Sequence, residues 1–142
     1  MNRTETLLRL KRFRVEEMKR RISAIEAMRA NLERKLTDLD EDVAREKQRA
    51  GDSDIGRLAF PTFLRSVEAR RENLRNTQKE IEREHQNAQI DLNNAFQDLK
   101  ALEFANELQA RRVAEIEARR AQSRLDEMAL VRHLRKHTLR SA

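Results

Sequence analysis

A seven-residue repeat of apolar side chains in the first third of the chain limits the possible folds more than any other feature. A stripe that repeats every 3.5 residues stays buried only when two α-helices wind around each other. Arg29 interrupts the repeat once. The other repeat positions, called the seam below, are Val15, Met18, Ile22, Ile25, Leu32, Leu36, Leu39 and Val43. The seam is too narrow for a globular core, so this segment needs a partner helix.

The composition supports long helices rather than a compact domain. The 142 residues are 38% hydrophobic and 39% charged, with no Trp, no Tyr and only two glycines. Disordered chains share low hydrophobicity and high charge, but they lack phased Leu and Ile positions and are rarely so poor in Gly and Pro. The absence of cysteine excludes disulfides and thiolate metal sites and suits a reducing cytosol. No apolar run has the length of a signal peptide or a membrane span, which predicts a cytoplasmic protein.

Helix-breaking residues divide the chain at one place. The pattern predicts a helix over about 4–49, a corner over about 50–61 and a second helix over about 62–137. Gly51 suits a left-handed position just past a helix end, and Pro61 suits the first turn of a new helix. Within the second helix, the step from Ala88 to Leu92 predicts a stutter, which would unwind the supercoil locally.

Two long amphipathic helices joined by a short link predict an all-α fold, an antiparallel two-helix coiled-coil hairpin that forms a single domain over 1–142. If Arg49 faces Thr62, then Thr4 faces about Glu107, and the longer second helix overhangs beyond that point. The overhang keeps an apolar stripe and is a candidate binding surface for an external protein. Self-association and a fold-back are the alternatives. The stripe consists of Val113, Ile116, Leu125, Met128, Leu130, Val131 and Leu134.

Basic residues concentrate towards both chain ends and predict an acidic partner. The formal net charge is +6. Nucleic acid is a weaker expectation, because the five Phe residues are scattered rather than interleaved with the arginines,. Four acids, Glu5, Glu16, Glu17 and Glu26, also lie within the N-terminal basic segment and would weaken a DNA footprint.

The sequence contains no catalytic constellation, so no enzyme activity, cofactor or small-molecule substrate is expected. His133 and His137 have the i,i+4 spacing of helical zinc sites, but the motif HLRKH lacks the Glu of HExxH, and Arg135 and Lys136 would repel a cation. His85 falls at a seam position, where a tolerated polar residue is the simpler interpretation than a proton switch.

Aromatic and aliphatic residues gather at the corner. Phe60, Phe63, Leu64 and Val67 occupy the corner and the first turns of the second helix. They predict either a plug that closes the hairpin or a docking patch at its tip.

Three segments of the chain resemble the FliJ flagellar export protein family. They are TLLRLKRFRVEEMKRRI near the start, GRLAFPTFLRSVEARRENL at the corner and LDEMALVR near the end. The resemblance implies a soluble, non-enzymatic component of the flagellar type III export apparatus, shaped like the central stalk of rotary ATPases. It implies three partners: the export ATPase ring, the export gate protein in the membrane and export chaperones. Such a protein would lie in the cytoplasm at the base of the flagellum.

The resemblance also suggests residue roles. The paired ends would sit in the ATPase ring, and we expect the basic residues Arg9, Lys11, Arg12, Arg14, Arg132, Arg135 and Lys136 to guide that contact. The gate-docking patch would comprise Phe60, Phe63, Val67 and Leu74, although Arg70 stands where the family pattern can have a small residue. The stalk of a virulence-type secretion system, a basic scaffold or nucleic-acid-binding coiled coil, and a homodimeric tether are the competing interpretations.

Overall fold

The computed structural model describes residues 2–141, and their side chains through residue 140, as two helices in contact. Helix α1 spans Arg3–Ala50 and helix α2 spans Asp54–Ser141. Asn2 caps α1, because its Oδ1 accepts a hydrogen bond from the backbone N–H of Glu5 at 2.8 Å,. This cap starts the helix slightly earlier than the sequence predicts.

The corner between the helices is much shorter than expected. Ser53 caps α2 by accepting the N–H of Gly56 on its Oγ at 3.0 Å,. The second helix therefore begins at Asp54, and Pro61 lies inside it rather than in its first turn. Gly51 also differs from the prediction, since its φ of −69° is right-handed. The short turn thus needs no left-handed residue.

The buried positions of both helices follow one uninterrupted heptad pattern. On α1 the seam side chains are all buried or half-buried. On α2 the shielded positions alternate in steps of four and three from Phe60 to Leu102, with Leu92 following Ala88 in the same register. The predicted stutter is therefore wrong. Earlier in α2, polar side chains occupy the same heptad position as Leu92 and Leu99. They are Arg71, Gln78 and His85. The apolar residues alone therefore indicated a change of phase where there is none.

Ion pairs across the interface define an antiparallel register. Arg29 Nη2 donates to Glu82 Oε2 at 3.0 Å, and Arg71 pairs with Asp40. A step of about eleven residues forward along α1 is matched by an equal step back along α2. This register places Arg49 level with Thr62, as counted from the sequence.

Two apolar clusters form the core along the interface. One lies near the middle of the paired part and the other lies nearer the chain ends. The first contains Ile22, Ile25, Leu32, Ile81 and Ala88, and the second contains Leu8, Val15, Ala95 and Leu99. Leu92 packs against both clusters and makes them continuous.

The second helix continues far beyond the end of the first. Glu103 is the last residue of α2 that is even half-buried, and each residue from Phe104 to Arg140 is exposed. At 1.5 Å per residue, this overhang extends about 55 Å past the paired part. The all-α hairpin with a longer, overhanging second helix is therefore confirmed.

Candidate partner-binding surfaces

Large apolar side chains lie exposed along the overhang. Those near its end sit at three-residue spacing in Leu125, Met128, Val131 and Leu134, and they are between 49% and 61% exposed. Each such step turns the helix by about 300°, so these four side chains sweep through roughly half of its circumference. Leu130, 58% exposed, lies on the other half. This end of the helix is apolar on several sides, unlike a helix that packs on one neighbour.

Basic side chains alternate with these apolar ones. Arg132 and Arg135 border a shallow hollow together with Met128 and Val131. Arg135 also borders the adjoining hollow, which Leu134 and Leu139 line. No acidic residue follows Glu127 in the sequence. The end of the overhang therefore offers positive charge and apolar surface on the same turns.

The two basic clusters lie at the same end of the hairpin but not in one patch. Lys11 Nζ lies 4.0 Å from Asp98 Oδ2, and Arg12 Nε lies 3.8 Å from Glu103 Oε1. The N-terminal cluster is thus beside the last paired turns of α2, about 45 Å along the helix before Arg132. Lys11 and Arg12 also have partners within the hairpin. The two clusters, which we expect to guide one contact in the ATPase ring, are thus separated along the rod by the unequal helix lengths.

Comparison with known proteins places this hairpin in a family. The family model described as the flagellar FliJ protein matches residues 1–138. The chain belongs to the flagellar FliJ family. No curated protein and no solved structure matches the chain. The FliJ family is a non-catalytic component of flagellar export, which gives the chain a role related to that process.

In this FliJ-family chain, the residues expected to dock on the gate do not form one exposed surface. The rings of Phe60 and Phe63 stack with centroids 6.4 Å apart, and both side chains are half-buried. Val67 is only 5% exposed, and Leu74 packs against the first core cluster. Val67 and Leu74 therefore hold the hairpin together rather than face outwards. Their seven-residue spacing is the seam period, which already indicated this.

Two exposed apolar residues at the tip were absent from the predicted patch. Ile55 and Leu58 are each 81% exposed. The sequence predicts that both lie in the corner, before the second helix begins at about residue 62. Because α2 begins at Asp54, they stand three residues apart on its first turns and point to the same side,. A cap at Ser53 was the signal that would have placed them on a helix.

Over residues 2–140, no group of three potential metal-ligating His, Cys, Asp or Glu residues comes together. The rings of His133 and His137 stack with centroids 6.4 Å apart. His85 Nε2 lies 3.3 Å from Glu26 Oε1 across the interface. Neither helix, over the part that was described, contains a stretch long and apolar enough to cross a membrane.

Proposed function

We propose that this FliJ-family chain is a stalk whose overhang inserts into the ring of the flagellar export ATPase. The paired part would project from the ring and carry the tip towards the export gate. The proposal also includes the family's export chaperones as partners and a position at the base of the flagellum. The exposed overhang is the observation that carries it.

The distribution of apolar residues on the overhang favours an enclosing partner. The heptad seam is interrupted there, since Arg120, Ser123 and Glu127 occupy successive seam positions between two short apolar stretches, Val113 with Ile116 and Leu130 with Leu134. A second copy packed along that line would face polar layers, which disfavours a homodimeric tether. The terminal apolar side chains instead point in several directions around the helix. A ring pore contacts a helix on all sides and can cover them together.

Positive charge gives this insertion an electrostatic component. Arg132, Arg135 and Lys136 would guide the overhang into a pore with acidic walls, and their effect would fall as salt screens it. Arg9 and Arg14 would act at the pore entrance, because the N-terminal cluster lies about 45 Å from Arg132 along the rod. Lys11 and Arg12 would contribute less, since Asp98 and Glu103 already balance them. Such a stalk would favour one ring conformation without contacting the nucleotide.

The tip of the hairpin is the proposed contact with the export gate. In place of the original patch, we assign this contact to Ile55 and Leu58, with the half-buried rings of Phe60 and Phe63 beside them. Val67 and Leu74 would support the tip from inside. Exposed aliphatic side chains on the first turns of a rigid helix can enter a pocket of a partner with little loss of conformational freedom.

Phosphate release by the flagellar export ATPase from the same genome tests the ring contact. The wild-type chain is expected to stimulate it saturably. The triple variant Arg132→Glu, Arg135→Glu and Lys136→Glu should reduce the stimulation at least tenfold. A matched triple reversal on outward faces of the paired part, Arg34→Glu, Lys79→Glu and Arg83→Glu, should keep it. Equal stimulation by both variants would refute the assignment of the overhang to the ring.

Binding to the cytoplasmic part of the gate protein tests the tip separately. Ile55→Ser with Leu58→Ser should weaken binding at least tenfold while leaving the ATPase stimulation unchanged. Ile90→Ser is the control, because Ile90 is 57% exposed on the paired part. If the control weakens gate binding and the tip variant does not, the gate contact lies along the side of the rod.

A further inference from the structure

The apolar seam alone permits more than one alignment of the two helices. On α2 one heptad position is apolar in every repeat: Phe60, Val67, Leu74, Ile81, Ala88, Ala95 and Leu102. Sliding α2 along α1 by seven residues therefore keeps an apolar α2 residue in every layer built on this position. Residues other than the apolar seam must therefore select the alignment of the two helices.

Polar side chains, among them Arg29, Arg71 and His85, lie at interface positions where most coiled coils have apolar ones. Arg29, Arg71 and His85 are between 20% and 31% exposed. Each is paired with an acid that flanks the seam on the other helix. The partners are Glu82, Asp40 and Glu26 respectively.

The pair of Arg29 and Glu82 makes two close nitrogen–oxygen contacts. Nη2 of Arg29 donates to Oε2 of Glu82 at 3.0 Å. Nε lies 2.6 Å from Oε1 and is buried, but its N–H is not directed at that oxygen. A half-buried guanidinium in this setting depends on a nearby acid, so an alignment without that acid is disfavoured.

A shift of one heptad in either direction brings like charges together. In one direction Arg29 would face Arg75 in place of Glu82. In the other direction Arg71 would face Lys47 in place of Asp40. Each shifted alignment thus loses a favourable pair and gains a repulsive one, whereas the layers built on the uniformly apolar position of α2 remain filled.

We infer that these charged positions, rather than the apolar seam, fix the register of the hairpin. Arg75 and Lys47 disfavour the shifted alignments by charge repulsion, whereas Glu82 and Asp40 stabilise the native one. These charge pairs also fix the length of the overhang, because a one-heptad shift would change it by about 10 Å. This inference does not depend on the proposed function.

The absence of native cysteine allows the register to be measured by disulfide formation. With Leu36→Cys, the native register places Leu74→Cys opposite, and a one-heptad shift places Val67→Cys there instead. The separation of about 10 Å between the two positions is beyond the reach of one disulfide. Dilute full-length protein, with peptide mapping of the monomeric band, identifies which pair forms.

The decisive variant exchanges two charges at equal composition, Arg75→Glu with Glu82→Arg. It moves the acid of Arg29 by one heptad, so we expect the 36–67 disulfide to rise at least fivefold and the 36–74 disulfide to fall. The exchange of Glu80→Arg with Arg83→Glu, on the outward face of the same turns, is the control and should leave the 36–74 disulfide dominant.

A second variant keeps the test decisive if the exchange prevents folding. Arg29→Leu with Arg71→Leu makes the interface more apolar, so the hairpin should fold with the register no longer selected. Disulfides at 36–67 or 36–81 should then form along with 36–74. Exclusive 36–74 disulfide in this variant would overturn the inference and assign the register to the corner.

Discussion

The paired and overhanging parts of α2 have similar composition but opposite surroundings. Up to Glu103 its apolar side chains recur at the seam positions and are covered by α1. After Glu103 polar residues interrupt that line, several apolar side chains such as Leu125, Met128 and Val131 lie off it, and nothing in the described part of the hairpin covers them. Regular spacing thus marks a surface buried within the chain. Irregular spacing of similar side chains marks a surface that we propose is covered by a partner.

The largest expected effect contrasts one truncation in each part. Leu32 is 4% exposed in the first core cluster, so Leu32→Ala should lower the free energy of unfolding by about 2–4 kcal/mol,. Val131 is 49% exposed on the overhang, and Val131→Ala should change it by less than about 0.5 kcal/mol,. Urea unfolding followed by circular dichroism measures both. Similar losses would mean that the overhang contributes to the folded core.

A smaller effect contrasts the two glycines of the corner. A Cβ at Gly56 would lie 3.0 Å from the Cα of Ala50, so backbone must shift, whereas a Cβ at Gly51 would meet only a carbonyl oxygen at 3.5 Å. Crowding at Gly56 costs about 1–3 kcal/mol and the better helix propensity of Ala returns up to about 1 kcal/mol. Gly56→Ala should therefore destabilise by about 1 kcal/mol.

The matched substitution Gly51→Ala should be neutral or slightly stabilising, because Gly51 is already right-handed,. Thermal unfolding of the two variants side by side measures the difference. Equal melting temperatures would show that the corner can open without loss, and the paired part would then be held by the seam alone.

The smallest expected change in stability comes from removing the whole overhang. A chain ending at Glu103 keeps both core clusters and the ion pairs that cross the interface. Its melting temperature should stay within about 3 °C of the full chain, since the lost side chains are exposed. In the ATPase assay the same truncated chain should give no stimulation. A large drop in melting temperature would instead mean that the overhang folds back onto the hairpin.

Much of the fold could be predicted from the sequence because coiled-coil periodicity is local. The phase of Val15 through Val43 fixes which face of α1 is buried, and one break near Gly51 fixes where the chain turns. The length of the corner could not be predicted, because Gly and Pro indicate a turn without giving its length. The capping hydrogen bond on Ser53 decided that length and carried Ile55 and Leu58 onto a helix.

The candidate surfaces were predicted less well than the fold, for a physical reason. The basic and apolar residues of the overhang were identified by sequence alone, since their exposure follows from α1 being shorter than α2. Val67 and Leu74 were assigned to a docking patch on the family resemblance, although their seven-residue spacing already placed them on the line that the opposite helix covers.

The sequence by itself determined the helices and the seam, which depend on residue types at regular spacing, and the family, which rests on the family model that matches residues 1–138. Only the tertiary structure decided the continuous register of α2 and the roles of Arg71, Gln78 and His85 within it. A polar side chain at a seam position is acceptable or costly according to what faces it across the interface. Arg71 is acceptable because Asp40 lies opposite, and that pairing joins residues far apart in the chain,.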